Sequence, residues 1–540
     1  MSTAEDLIHA ATRATIPERL RHWARERPDR LFLWCGDDQM TFREADARSD
    51  RVAAGLAELG LIGEHVAIIT PNRPEMVELY LGAAKAGAVQ VPLNVFLKGN
   101  FLRDQLIDSA ANTLVADHDG CKTVAPLLAE VGRIQRVIAL DDTTDVPFPD
   151  HIEVIPYQRL RTSTEPVPEI RATPDTPMSV LYTSGTTGPP KGCVLTHGYD
   201  MRLAAIADAV AEFGEDDVIL TALPLFHGAA RTTCVGAALR RGLTAVVEPE
   251  FRSTMLERAA ETGATVIFGV ASMGQVLLAR QPSASDRDHR VRLAVWGPAD
   301  AEAETRIRDR FGFEVLSRVY GQTECGYSTF DTRAHPALDG SSGRAAPDLE
   351  MELVDEDENT VPIGEVGEIV FRPRHRNAMF RGYWNKPETT LETFRGLWYH
   401  TGDFGRMSAD GSLFFVDRKK DYLRRRGENV SSLELEGAIR AYPKVSDAAV
   451  HDIPSEVGED DIKACVVAVD GASIDPHELF DFFVDTIPYF AIPRYVELMT
   501  ELPKNAVGRV TKNDLRDRGV TDTTWDFEQL ELTVAASDRR

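Results

Sequence analysis

The sequence predicts an α/β protein with largely parallel sheets, divided into a large N-terminal and a small C-terminal domain. Three observations carry that reading. The chain has 540 residues, too many for one hydrophobic core. Over most of its length, short β-branched runs alternate with longer amphipathic segments, the signature of βαβ units. From about Met351 the texture changes to short strands separated by Gly and Asp turns.

Each element follows from its residues. His65-Val-Ala-Ile-Ile-Thr70 reads as a buried strand stopped by Pro71-Asn-Arg-Pro74. Met76 to Lys85 has helical periodicity, and Gly87-Ala-Val-Gln-Val-Pro92 reads as the next strand. The same alternation returns around Thr265 to Phe268 and Leu293 to Trp296, giving parallel strands joined by right-handed crossovers. Met351 to Phe371 and Ser412 to Val416 suggest a more antiparallel subdomain. After Asp417 a separate unit of about 120 residues begins, a natural size for a small domain. The expected domains are therefore 1–416 and 417–540. Ser431-Ser-Leu-Glu434 has the form of a capping box opening a helix from Leu433 to Arg440. The polar tail after Thr521 is expected to be loosely ordered.

Charge narrows the function. Asp and Glu number 85 against 60 Lys and Arg, a formal charge of −25. That argues against general nucleic-acid or anionic-membrane binding, which needs a positive footprint. An anionic small molecule can still bind where basic groups are concentrated locally. Six scattered cysteines form no CxxC pair and no Cys/His cluster, which points to a reducing compartment rather than a disulfide framework or zinc site. The N-terminus lacks a signal-peptide pattern, and no run of about 18 apolar residues is present to span a bilayer. The expectation is a cytoplasmic protein acting on a small molecule. The oligomeric state is left open.

The most informative segment is Tyr182-Thr-Ser-Gly-Thr-Thr-Gly-Pro-Pro-Lys-Gly192, which follows the apolar run Met178 to Tyr182. Gly185 and Gly188 let backbone N–H groups turn inward as an anion nest, and Thr183, Ser184, Thr186 and Thr187 add donors without bulk. Lys191 supplies a compact positive charge for phosphate oxygens. The spacing is not that of a Walker A loop, and a Ser/Thr/Gly-rich string can also be a plain surface turn.

With Thr196-His197 behind it, this string resembles the signature loop of the adenylate-forming superfamily: acyl- and aryl-CoA synthetases, peptide-synthetase adenylation domains and luciferases. Further motifs follow in order. Trp296-Gly-Pro-Ala299 looks like the family's Gly-rich segment against adenine, through Gly297, Pro298 and Ala299. Tyr320-Gly-Gln-Thr-Glu324 resembles the motif in which the aromatic ring stacks on adenine, with Gly321 and Gln322 beside it. The resemblance puts Thr323 on the α-phosphate and Glu324 on Mg²⁺, a cation that takes few protein ligands beside phosphates. His400-Thr-Gly-Asp403 looks like the ribose site, Asp403 accepting from the hydroxyls. Pro224-Leu-Phe-His-Gly228 resembles the acyl-pocket gate, with His227 as the functional residue, although a His after Phe is otherwise a common packing residue.

Phe415-Val-Asp-Arg-Lys-Lys-Asp421 matches the family hinge, with Asp417 as pivot and Arg418 reaching the nucleotide. The basic run Arg418, Lys419, Lys420, Arg424, Arg425 and Arg426 reads by itself as a solvated turn. Within the resemblance, Arg426-Gly427-Glu-Asn429 lies near the pantetheine tunnel of CoA ligases. The implied architecture is a large domain of parallel-sheet α/β subdomains with a distorted β-barrel-like subdomain, and a small mobile α+β domain. The implied cofactors are ATP, Mg²⁺ and CoA as co-substrate.

One motif departs from the family. Where a terminal lysine bridges substrate carboxylate and α-phosphate in Pro-Lys-x-x-x-Gly-Lys, this chain reads Pro503-Lys-Asn-Ala-Val-Gly-Arg509. Arg keeps a fixed charge, but its planar fork is not isosteric with an ammonium. Arg509 itself, or Lys512 or Lys504 reaching in, or a changed reaction, are the three readings. The texture is closest to acyl- or aryl-CoA ligases of the carnitine-CoA ligase-like kind, activating a carboxylic acid with Arg509, His227, Glu324 and Lys191 as catalytic residues. Alternatives are another acceptor (a carrier-protein thiol, an amine, an activated oxyacid passed to an amine) or a catalytically weak relative that binds ligand. The segments near His227, Phe268-Gly-Val-Ala271 and Gly297 to Gly326 fit a medium or aryl acid better than a long acyl chain.

Overall fold

Local sequence sets the element boundaries. The helix Phe42–Glu58 starts at a reciprocal cap, Thr41 accepting from the Glu44 N–H while the Glu44 side chain returns to the Thr41 backbone. The helix Pro74–Ala86 places proline in its first turn and ends at Gly87, whose φ of 70° suits a left-handed cap. Because Gly87 is used as that cap, the next strand begins at Val89 rather than at Gly87. The structure is a computed structural model and describes residues 4–167, 172–183, 190–297, 301–418, 422–425, 428–455, 460–503, 510 and 512–534.

Two seven-stranded sheets form the large domain. One runs Glu153–Pro156, Arg136–Ala139, Thr113–Ala116, His65–Ile69, Val89–Pro92, Pro177–Thr183, Lys191–Thr196. The other runs Glu314–Leu316, Leu293–Gly297, Val266–Val270, Val218–Thr221, Thr244–Val247, Leu31–Cys35, Asp38–Thr41. All neighbours are parallel except the last pair of each sheet. A shared buried cluster, including Tyr80, Met178, Tyr199, Leu203, Ile219 and Leu239, joins the two sheets through the helices Pro74–Ala86 and His197–Ala211. Leu293–Gly297, Val218–Thr221 and Pro177–Thr183 send their carboxyl ends into the motifs singled out above, the usual place for ligands in α/β sheets.

The antiparallel subdomain is built on Leu349–Val354, Val366–Pro373 and Trp398–Met407, with Leu413–Arg418 paired to the last. That ladder continues through Phe404–Asp417 and Asp403–Arg418, so Asp417, the expected pivot, is paired into the large domain's sheet. The small domain has the hairpin Tyr422–Arg425 with Glu428–Ser431, then the helix Ser432–Arg440, which starts one residue earlier than the sequence suggested. Its sheet contains Val445–Pro454, Asp460–Ala468, Tyr495–Met499 and Thr524–Asp526. The expectation of a loose tail after Thr521 is overturned for the described residues up to 534. Thr524–Asp526 pairs with Tyr495–Met499, and Phe527 is buried against Phe480 and Phe483. Among the described residues, no helix is long and apolar enough to cross a membrane. All six cysteines are free and buried.

Candidate active site

The phosphate-loop string is clamped at both ends by one antiparallel ladder, which pairs Thr183 with Lys191 and Tyr182 with Gly192. Gly192 is required there, since a Cβ would meet Val180 at 2.5 Å and the Tyr182 ring at 3.2 Å. Ser184, Gly185, Thr186, Thr187 and Gly188 lie outside the described residues. A segment far along the chain braces the clamp. Trp384 N–H donates to Gly192 O (2.7 Å), and Lys386 Nζ donates to Pro190 O (3.0 Å) while pairing with Asp108 (2.9 Å). Asp108 also accepts from the Tyr182 hydroxyl at 2.7 Å.

Beside the clamp, Lys191 Nζ sits 5.1 Å from the centre of the Tyr383 ring, and the Tyr383 hydroxyl donates to Glu324 Oε1 at 2.7 Å. Burial pushes the Glu324 carboxyl above its ordinary range, opposed by the Tyr383 hydrogen bond and the Lys191 charge. A buried carboxylate that favours its proton gains from an arriving cation. No group of three or more His, Cys, Asp or Glu poised for a metal occurs among the described residues. The single buried carboxyl of Glu324 fits an ion such as Mg²⁺ that takes few protein ligands beside phosphate oxygens.

Tyr320, Gly321 and Gln322 lie on the strand Val319–Gln322, paired with Gly326–Phe330 across a bulge at Tyr320/Gly321. Gly321 admits no side chain, because a Cβ would lie 1.9 Å from Gly326 O. Asp403 Oδ2 accepts from the Tyr320 hydroxyl and from Gln322 Nε2, each at 2.8 Å. The Tyr399 hydroxyl completes the relay on Gln322 Oε1 at 2.6 Å. Burial and then the Asp403 charge push the Tyr320 phenol up, so it remains a donor at neutral pH. Its ring stacks near Phe371 and Phe415, at 6.2 Å from each. Thr323 is anchored through its carbonyl, which accepts from the Tyr199 hydroxyl at 2.7 Å. Gly297 closes the strand against Ser317 and Val319, where a Cβ would meet Ser317 O at 2.8 Å. Pro298 and Ala299 lie outside the described residues.

His227 faces the small domain. Its Nε2 is 3.0 Å from Glu428 Oε1, and Glu428 Oε2 accepts from Asn94 Nδ2 at 3.3 Å. Glu428 directly follows Arg426 and Gly427, which lie outside the described residues. Phe96 packs edge-on to Tyr489 at 4.9 Å across the same seam. Arg425 of the basic run is buried and committed to structure, bonding Ile492 O and pairing with Asp461 at 3.2 Å. Arg418 joins Asp403 by backbone pairing only as far as described, its side chain lying outside. Arg509 and Lys504 are also outside the described residues. Lys512 pairs with Glu436 and donates to Ser432 Oγ, both at 2.7 Å and within the small domain.

The structure thus joins Tyr320, Gln322 and Asp403 in one relay, Lys191 and Glu324 through Tyr383, and His227 to the hairpin next to Gly427. Tyr383, Lys386, Tyr399 and Asp108 were not singled out in the sequence. The aromatic run Phe380-Arg-Gly-Tyr-Trp-Asn-Lys386 is the one local signal that could have drawn notice.

Comparisons with known proteins agree with this geometry. Residues 20–384 match the family model of AMP-binding enzymes, and residues 434–509 match that of the AMP-binding enzyme C-terminal domain. The crotonobetaine/carnitine–CoA ligase of Escherichia coli O139:H28 is 32% identical over 496 residues, spanning 89% of this chain and 93% of that protein. A double mutant of o-succinylbenzoate CoA synthetase (MenE) from Bacillus subtilis, bound with its product analogue OSB-NCoA, superposes with a TM-score of 0.79. The identity is 25%, over 93% of this chain and 99% of that one. MenE in complex with AMP gives 0.66, also at 25% identity, over 94% and 99%. This chain therefore superposes better on the product-analogue complex than on the AMP complex. The amide bond synthetase McbA from Marinactinospora thermotolerans superposes with a TM-score of 0.79 at 25% identity, covering 94% and 99%.

Proposed function

The chain belongs to the AMP-binding enzyme family, and on that premise we propose that it is an AMP-forming acid:CoA ligase of the cytoplasm. Adenylate-forming activation of an acid is the chemistry of the family. In the proposed first step a carboxylate oxygen attacks the α-phosphorus of ATP, the bond to the β-phosphate oxygen breaks, and pyrophosphate leaves. In the second the CoA thiol, losing its proton, attacks the acyl carbon and AMP departs.

The residues divide this work. The loop between Thr183 and Lys191, with Lys191, cradles phosphates, and Thr323 approaches the α-phosphate. Gly297 and Gly321 leave room for adenine beside the Tyr320 ring, and Asp403 orients ribose. Glu324 would hold Mg²⁺, which when bound neutralises charge growing on the phosphate oxygens. Arg509, with Arg418 in support, would supply the cation between carboxylate and α-phosphate. Lys512 is already paired with Glu436 and Ser432, which favours Arg509 over Lys512.

The observation that carries the acceptor assignment is Glu428 seated on His227. It seats the hairpin strand Glu428–Ser431 against the mouth of the site, and the arginine-rich sequence of that hairpin supports a CoA acceptor, whose phosphates suit guanidinium groups. An amine acceptor is the second reading, favoured by the equally good superposition on McbA. ATP–pyrophosphate exchange over a panel of medium and aryl acids tests activation. Product analysis with CoA or with amines then tests the acceptor. Exchange without acyl-CoA would sink the ligase reading, and no exchange with any acid would leave a ligand-binding relative. Arg509→Ala retaining full exchange would remove Arg509 from the mechanism.

A further inference from the structure

A cavity of about 430 Å³ opens between the helices Ala4–Ala11, Ile16–Glu26 and Ala237–Arg241, and it shares no lining residue with the candidate active site. Four arginines line it, Arg19, Arg27, Arg240 and Arg241, against a single carboxylate, Glu215. In a chain of formal charge −25, that is a strong local reversal of sign.

The arginines are only partly answered. Arg240 and Arg241 both pair with Asp208, the second at 3.7 Å. Arg19 and Arg27 have no carboxylate partner among the described residues. Their guanidinium carbons instead lie 5.3 and 5.2 Å from the centre of the Trp23 ring. Arg19 Nη2 donates to Arg240 O at 2.6 Å, which leaves Arg19 Nε buried with no acceptor. Trp23 Nε1 is likewise buried without one. Burial, and then the charge of Arg240, lower the affinity of Arg19 for its proton, so this guanidinium gains from an arriving anion. The platform is built into the fold. Gly242 has φ +69° and no side chain, and a Cβ there would strike the Trp23 ring at 2.7 Å. Leu7, Ala11 and Met201 give the cavity an apolar wall.

Unanswered N–H donors, surplus positive charge and an apolar wall together describe one kind of guest. We propose that this cavity is a second small-molecule site, which takes an organic anion with an oxyanion head and a short apolar body. Guanidinium forks accept carboxylate and phosphate heads alike, and the apolar wall excludes a bare inorganic ion as the preferred occupant.

Hexanoate and hexyl phosphate are suitable probes, titrated calorimetrically into the full chain, with inorganic phosphate and hexanol as controls lacking body and head. The tighter of the two probes identifies the head group. Arg27→Ala should weaken that probe by about tenfold or more, with ATP–pyrophosphate exchange unchanged. His227→Ala should leave probe binding intact, which separates this cavity from the candidate active site. Should Arg19→Ala fail to fold, Arg27→Ala still decides, since its guanidinium makes no hydrogen bond among the described residues. Three results would each overturn the proposal: neither probe binding up to about 10 mM, binding indifferent to Arg27→Ala, or inorganic phosphate or hexanol binding as tightly as the probes.

Discussion

Asp403, Tyr320, Gln322 and Tyr399 form a closed relay of hydrogen bonds inside the large domain, whereas the seam between the domains turns on Glu428 holding both His227 and Asn94. In the relay, Asp403 and Tyr399 are buried at 3% and 2% exposure, so losing the partner of either one leaves it a polar group that water cannot reach. At the seam the His227 side chain remains 46% exposed, and water can replace what a rotation removes. A nucleotide site gains from preorganisation. A surface that must release and re-form between two half-reactions gains from cheap contacts. On the proposed function, the two regions differ in the way those tasks demand.

The relay side of the comparison breaks first at its foundation. Arg202 and Asp348 are both fully buried, and Arg202 also donates to Cys325 O at 3.2 Å, tying the turn after Tyr320 to the helix His197–Ala211. Arg202→Ala leaves the Asp348 charge buried and unpaired, so stability should fall by about 3–5 kcal/mol. A shift in the denaturation midpoint with unchanged slope would register it. A change below about 1 kcal/mol would show that this turn is not held from beneath.

Asp403→Ala acts within the relay itself. It deprives Tyr320 and Gln322 of their shared acceptor and removes the proposed ribose contact, and ATP–pyrophosphate exchange should drop about 100-fold or more. If exchange stayed within about threefold of wild type, the relay would be structural only. By contrast, a seam substitution should spare exchange. Glu428→Gln and His227→Ala, alone and together, should each slow acyl-CoA formation by about tenfold, with the double variant little worse than either single one. Fully additive losses would mean that the pair does not act as a unit.

How much of this was legible before the structure differs between the same two regions. Short-range chemistry could be read directly. Capping signals, alternation of strand and helix, and the motif strings around Lys191, Tyr320 and Asp403 each announce themselves within a few residues. The tie between Tyr320 and Asp403 spans 83 positions, and it was reached only through a resemblance that placed both around one nucleotide. Tyr383 on Glu324, Lys386 on Pro190 and Glu428 on His227 were not legible. They are single side-chain contacts between distant segments, and local periodicity carries no trace of a partner. The order of the tail at Phe527 was missed for a related reason, since three polar threonines precede the residue that enters the small-domain core.

The smallest expected effect concerns how the seam responds to acid. Glu434, on the small-domain helix Ser432–Arg440, is pushed from 4.5 up to about 7, first by burial and then by the charge of Asp104 across the seam. The neighbouring cation, Arg103, is already shared between Asp104 and Glu130. A carboxyl whose pKa is raised in the docked arrangement keeps its proton there after the undocked form has lost it. Docking is therefore strongest below about pH 4.5, weakens as pH climbs towards 7, and levels off above it. The ratio of acyl-CoA formation to pyrophosphate exchange should fall a few-fold between about pH 5.5 and 7.5. Glu434→Gln, which is neutral throughout, should flatten that profile at the acid-side value. Asp104→Asn should move the fall to lower pH, because it removes the like charge but leaves the burial. If both variants respond to pH as wild type does, the acid response of the seam does not belong to Glu434.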